Sequence, residues 1–277
     1  MVCGPTASGK SELADALAER LTEARGTPVP TLVVDSVQVY KELSIITNQA
    51  RRRPAELVGI VSVTQEWTVA RHKARAEEII GQADMPFVLD TGTGMYLNAI
   101  LLEVPLAPKV DARTRRIAQE ITAGANNQRR ASRAKELELA GVPDRGSIWE
   151  GKLRYETALI YLRPQRAALD AAIANRSEKI VREGLEEAAQ IKQMEEAGAR
   201  ISASVLDSIG VRELIIHLSG EITLDEAQTR ITTRTRKLAR RQMRWFDKLA
   251  RALEDRAEIA ITEHPIDLNT MHDRIWA

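Results

Sequence analysis

Cysteine is almost missing: Cys3 stands alone in 277 residues. No internal disulfide can form, which suits a reducing cytosol. Aromatic residues make up 4% of the chain, too few for an extended stacking platform along a single-stranded nucleic acid. No apolar run approaches the about 20 residues that a membrane-spanning helix needs, and no charged start with an apolar core marks a signal peptide. The expected setting is the cytoplasm, with no membrane partner. His72, His217, His264 and His272 share no ligand spacing, and Cys3 has no neighbouring His or Cys, so neither residue type argues for a metal centre. Net charge is only +1. A nucleic-acid partner would have to show itself in local clustering rather than in a global field.

What is present begins near the N-terminus. Gly4-Pro5-Thr6-Ala7-Ser8-Gly9-Lys10-Ser11 fills every fixed position of the P-loop spacing G-x-x-x-x-G-K-[ST]. Such a loop turns its backbone N–H groups toward a phosphate, and the following helix adds its partial positive charge. Lys10 reaches the distal phosphate, and the Ser11 hydroxyl suits Mg²⁺. Residues 12–21 continue with helical spacing, as the motif requires. Only Met1-Val2-Cys3 precede Gly4, so the strand that leads in is expected to be very short or to start upstream. Cys3 on that strand reads as a small buried hydrophobe.

The rest of the chain alternates. Thr31-Leu32-Val33-Val34 reads as a buried parallel strand ending at Asp35, and 57–61 reads as another short strand. A helix is expected over 68–83, closed by Asp84 and Pro86. Phe87-Val88-Leu89 forms a further strand that runs into Asp90-Thr91-Gly92-Thr93-Gly94, with a new helix from Met95. This pattern predicts an α/β fold: a P-loop NTPase-like, doubly wound parallel sheet. Pro105 and Pro108 then mark a break, 111–140 is helical and rich in arginine, 155–162 reads as one more strand, and helix dominates afterwards. The expected organisation is a core of 1–108 and 147–277 with long C-terminal helices, and a helical insertion at 109–146.

The strongest helical signal covers Leu224 to Leu253 and carries Arg230, Arg234, Arg236, Lys237, Arg240, Arg241 and Arg244. A charge run of this kind is either a solvated face paired with scattered acids or a surface for phosphates; acids are nearly missing between Gln228 and Phe246, and both readings stay open. Trp245 and Phe246 can stack on a base or pack in a core. Asp35 at a strand end can cap a helix or act in a site, and Thr93 between glycines can be a turn residue or a catalytic one.

Four blocks, in order, carry a resemblance. Gly4 to Ser11, Asp35-Ser36-Val37-Gln38-Val39-Tyr40, Gly92-Thr93-Gly94-Met95-Tyr96-Leu97, and Thr235-Arg236-Lys237-Leu238-Ala239-Arg240-Arg241-Gln242-Met243-Arg244-Trp245-Phe246 together resemble the tRNA dimethylallyltransferases. Weaker echoes include Arg166, Leu169, Ile173 and Arg176. The resemblance implies transfer of a prenyl group from dimethylallyl diphosphate to the exocyclic amine of an adenine beside the anticodon of tRNA, with Mg²⁺, by a monomer. It assigns the diphosphate to Gly4, Thr6, Ala7, Ser8, Gly9 and Lys10, and Mg²⁺ to Ser11. Asp35 would take the proton of the amine, Thr93 would touch the bridging oxygen, and Arg236 would grip the diphosphate from the other side. Ser36, Gln38 and Arg240 are expected beside the substrates.

This chain departs from the family pattern on the acceptor side. Thr91, preceded by Asp90, stands in place of the first of two glycines usual ahead of the Thr, Ile46-Thr47-Asn48-Gln49-Ala50 replaces a Gly-Thr-x-Lys-Pro segment, Trp67-Thr68 replaces a Tyr-Ser pair, and the insertion is short. A free adenine nucleotide is therefore a second candidate acceptor. A different class also fits part of the sequence: Phe87-Val88-Leu89-Asp90 resembles a strand ending in a Walker-B aspartate, as in a P-loop kinase of small metabolites. A third reading is a non-catalytic RNA-binding module.

Overall fold

Short runs of β-branched and apolar residues form the sheet, because burial on both faces favours Val, Ile and Leu in parallel strands. In this computed structural model, residues 1–263 are described except Asp84, Pro105, Asn127, Asp144 and Arg145. The expected cap at Asp84, the break at Pro105, and His264 and His272 thus lie outside the described residues. Six strands, β1 Val2–Cys3, β2 Thr31–Val34, β3 Ala55–Glu56, β4 Val88–Thr91, β5 Ala158–Leu162 and β6 Glu258–Thr262, lie in the order β3-β2-β4-β1-β5-β6. Every pairing is parallel.

The helices are α1 Lys10–Arg25, α2 Val69–Gly81, α3 Gly94–Leu101, α4 Ala112–Ile121, α5 Gln128–Leu139, α6 Arg166–Glu183, α7 Leu185–Glu196, α8 Ala203–Leu206, α9 Val211–Leu218 and α10 Leu224–Leu253. Alternation along the strands sends successive side chains to opposite faces. Val2, Val88 and Ile160 meet Leu13 and Leu17 of α1. Cys3, Leu89 and Tyr161 meet Leu97 and Ile100 of α3 and Phe246 and Leu249 of α10. Cys3 is fully buried, and burial pushes its thiol pKa up, so it packs as an inert hydrophobe. A second core joins Val39, Tyr40 and Ile46 to α6, α7 and α9, and so holds the segment after Asp35. The α10 helix starts with a capping box, the Thr223 hydroxyl accepting from Glu226 N–H and the Glu226 carboxylate accepting from Thr223 N–H. Its 30 residues extend about 45 Å. The α4 and α5 helices pack on each other within 109–146. Among the described residues no helix is long and apolar enough to cross a membrane.

Two expectations need correction. Residues 57–61 do not form a strand: β3 stops at Glu56, Leu57 and Gly59 take φ of 64° and 58°, and left-handed backbone cannot stay extended. The segment instead turns back, with Val61 bridging Tyr40. The strand expected over 155–162 begins only at Ala158, because the Thr157 hydroxyl folds back to donate to the Tyr155 carbonyl at 2.9 Å.

Candidate active site

The order β2-β4-β1 places three carboxyl-terminal loops side by side: Asp35 onward after β2, Gly92-Thr93 after β4, and the P-loop after β1. Open α/β sheets build their sites at that edge. In the P-loop, Ala7 and Gly9 take φ of 65° and 82°, which curls the backbone before α1. The Ser8 hydroxyl oxygen is buried without a hydrogen-bond partner among the described residues. Lys10 is 9% exposed. Desolvation pushes its pKa down, Asp90 and Asp35 oppose that shift, and Arg176 and Arg51 add to it. An anion arriving beside Lys10 relieves that strain on the ammonium.

Asp35 uses its two oxygens differently. Oδ1 accepts from the N–H groups of Val37 at 2.9 Å and Gln38 at 3.2 Å, which fixes the carboxylate. Oδ2 accepts a long 3.5 Å bond from the Thr93 hydroxyl, whose oxygen in turn accepts from Ser36 N–H at 3.2 Å. Gly92 permits this approach, since a Cβ there would sit 2.6 Å from Asp35 Oδ2 and 3.5 Å from Lys10 Cε. Asp35 caps no helix; its Oδ1 holds the turn over Val37 and Gln38, and its Oδ2 faces Thr93. Thr6, Lys10, Asp35, Ser36, Gln38 and Thr93 line one cleft of about 2720 Å³. Lys237, Arg240, Arg241 and Arg244 line it from α10, all four exposed and none in an ion pair with a described residue. A cationic wall facing a carboxylate and a phosphate loop suits an anionic ligand larger than a nucleotide.

The model of the IPP transferase family matches residues 38–249. The chain belongs to the IPP transferase family. The tRNA dimethylallyltransferase of Rubrobacter xylanophilus is 61% identical, over 100% of this chain and 97% of that protein. That of Thermobifida fusca is 33% identical, over 95% and 94%. The crystal structure of the full-length tRNA isopentenylpyrophosphate transferase from Bacillus halodurans superposes with a TM-score of 0.69 at 26% identity, over 97% of this chain and 91% of that one. The enzyme from Staphylococcus epidermidis gives 0.67 at 22%, a likeness of fold.

Within this family fold the site residues do not all stand where the sequence placed them. Arg236 lies outside the cleft: its Nε donates to Asp170 Oδ1 at 3.1 Å, with the side chain 46% exposed. Helix phase alone does not exclude it, since Arg240 one turn on lines the cleft; the Asp170 carboxylate of α6 draws the Arg236 side chain aside. Arg176 of α6 takes the inner position, lining the cleft with Asp35 as its favourable charge partner while desolvation weighs against its own charge. The sequence carried a signal for it. Leu169, Ile173 and Ile180 mark the buried face of α6, and an arginine a turn beyond Ile173 falls near that face. An exposed pair such as Arg236–Asp170 contributes only about 0–1 kcal/mol. Arg176→Ala is therefore expected to weaken pyrophosphate binding by about 10–100-fold, the loss of a charged hydrogen bond, and Arg236→Ala by less. Calorimetric titration of both variants checks the order, and a larger loss in Arg236→Ala would return the primary role to that residue.

The structure also reveals an ion network that the sequence concealed. Arg51 donates to Asp15 Oδ1 at 2.7 Å and Asp90 Oδ2 at 2.6 Å, and no side chain of the three is more than 5% exposed. The Walker-B-like Asp90 thus has one oxygen committed to an arginine, while Oδ1 is buried without a partner among the described residues. Oxygen donors suit Mg²⁺, and the Ser11 hydroxyl at the start of α1 together with the unpartnered Asp90 Oδ1 fits that ion. No group of three or more His, Cys, Asp or Glu among the described residues could hold a metal, so such an ion would rest largely on substrate phosphates, a usual arrangement for Mg²⁺. His72 is buried, its Nδ1 accepts from the Trp67 indole N–H at 3.0 Å, and burial lowers its pKa to about 4.

Proposed function

We propose that this chain transfers the dimethylallyl group of dimethylallyl diphosphate to the exocyclic amine of the adenosine next to the anticodon in tRNA. The observation that carries this reading is the meeting of Lys10, Asp35 and Thr93 at one point of a cleft whose far wall is cationic. The names of the two relatives support it.

The chemistry follows from the residues. The carbon–oxygen bond of an allylic diphosphate breaks readily once charge on the departing oxygens is matched. The P-loop N–H groups, Lys10 and Arg176 form a preorganised field for that purpose. Mg²⁺ held at Ser11 would add to the neutralisation. The Thr93 hydroxyl, now directed to Asp35, is placed to donate to the bridging oxygen instead. The adenine amine is a weak nucleophile because its lone pair is delocalised into the ring. Asp35 Oδ2 takes its proton as the carbon–nitrogen bond forms, and diphosphate leaves. The target base must leave its stack to enter the cleft. The backbone of tRNA lies along Arg240, Arg241 and Arg244, and the α4–α5 hairpin, inside the 109–146 insertion, is the proposed grip on the anticodon stem. The enzyme works in the cytoplasm as a monomer.

The test offers dimethylallyl diphosphate and Mg²⁺ with tRNA, AMP, ADP, ATP and adenosine in parallel. Label is expected in tRNA. Label confined to free nucleotides would sink the tRNA acceptor and keep the chemistry, and tight ATP binding with no prenyl transfer would favour the kinase class.

A further inference from the structure

Gln242 projects from α10 between two of the three loops. Its Oε1 accepts from the N–H of Thr6 at 2.8 Å, and its Nε2 donates to the carbonyl of Gly92 at 2.7 Å. The two partners differ in kind, one a donor and one an acceptor, so only an amide satisfies both and its orientation is fixed. Both bonds are near-ideal in length. Thr6 belongs to the P-loop, and Gly92 immediately precedes Thr93. From the opposite side, the N–H groups of Gly92 and Thr93 donate to Val34 O at 3.2 and 3.1 Å. The Gly92-Thr93 segment is therefore held between β2 and Gln242. The helix that carries Gln242 is itself anchored: Phe246 and Ala239 are buried, and the Trp245 indole N–H donates to Asn98 Oδ1 at 3.1 Å.

We propose that Gln242 is a positioning residue for prenyl transfer, its amide fixing the spacing between the diphosphate-binding loop and the Thr93–Asp35 pair. This rests on the function proposed above. Lys10 and Thr93 must address the same leaving group from two loops that no continuous backbone joins, and a single amide spans the gap between those loops. A misplacement of about 1 Å at a reacting centre costs on the order of 10²-fold in rate.

Gln242→Met keeps the length and apolar stem but loses both bonds. Gln242→Glu keeps the acceptor for Thr6 and places a carboxylate against the Gly92 carbonyl. Both variants are expected to lose about 10–100-fold in kcat, with donor KM and tRNA Kd within about threefold of the parent and Tm within a few degrees. Gln242→Glu should be the slower of the two. A kcat within threefold of the parent in both variants overturns the proposal, as does a loss that follows Tm rather than the missing bonds. Hydrogen exchange separates this from the function itself. Faster exchange at 4–9 and 92–94 in Gln242→Met is expected even if the parent modifies no tRNA, and unchanged exchange there overturns the link.

Discussion

Asp35→Asn is expected to lower kcat by about 10²–10⁴-fold, the range for losing a positioned general base, while donor KM stays within about threefold. The amide keeps the size of the carboxylate, and its oxygen can still accept from Val37 and Gln38 N–H, so the turn that holds the residue survives. What disappears is the ability of Oδ2 to receive a proton. Removing a negative charge beside Lys10 and Arg176 also leaves those cations free to hold the diphosphate. Turnover and affinity should therefore separate. Steady-state kinetics with tRNA, together with a pyrophosphate titration, measure the two quantities independently. Equal losses in both would mean that Asp35 supports the donor loop rather than the amine.

The second large effect concerns stability. Arg51→Met is expected to destabilise the fold by about 3–5 kcal/mol, because two nearly inaccessible carboxylates would lose their shared counter-charge. Urea unfolding measures it. The companion variant replaces Asp15, Arg51 and Asp90 together by Leu, Met and Leu, and should recover most of the loss, since well-packed apolar side chains can replace a buried ion triad. A single-variant loss below about 1 kcal/mol would show that water or Lys10 already compensates the two acids.

These cases mark what the sequence could and could not disclose. Local signals read well: the P-loop, the β-branched run Thr31–Val34 and the helix Leu224–Leu253 each depend on neighbours in sequence, and the structure has them with those bounds. Topology then carried Asp35 and Thr93 to Lys10, because strand ends on one side of a parallel sheet must adjoin. Facts of angle and distance read poorly. Arg236 matches the motif, yet Asp170 of α6 holds its side chain outside the cleft that Arg240, one turn further along the same face, lines. Nothing near Asp15 in the sequence announces a partner, and only folding brings Arg51, with Asp90, to it. Leu57 adopts left-handed backbone with no glycine to announce it.

The position of β1 bears on how the molecule is made. Val2 and Cys3 lie near the middle of the sheet, in register on one side with Asp90 and Thr91 and on the other with Ile160 and Tyr161. Val2 and Cys3 must therefore wait for segments translated much later. Contacts of such long range slow folding and prolong exposure of unpaired strand. A nascent chain halted before Ala158 would hold its phosphate loop against a half-built sheet, open along the edge where β5 belongs.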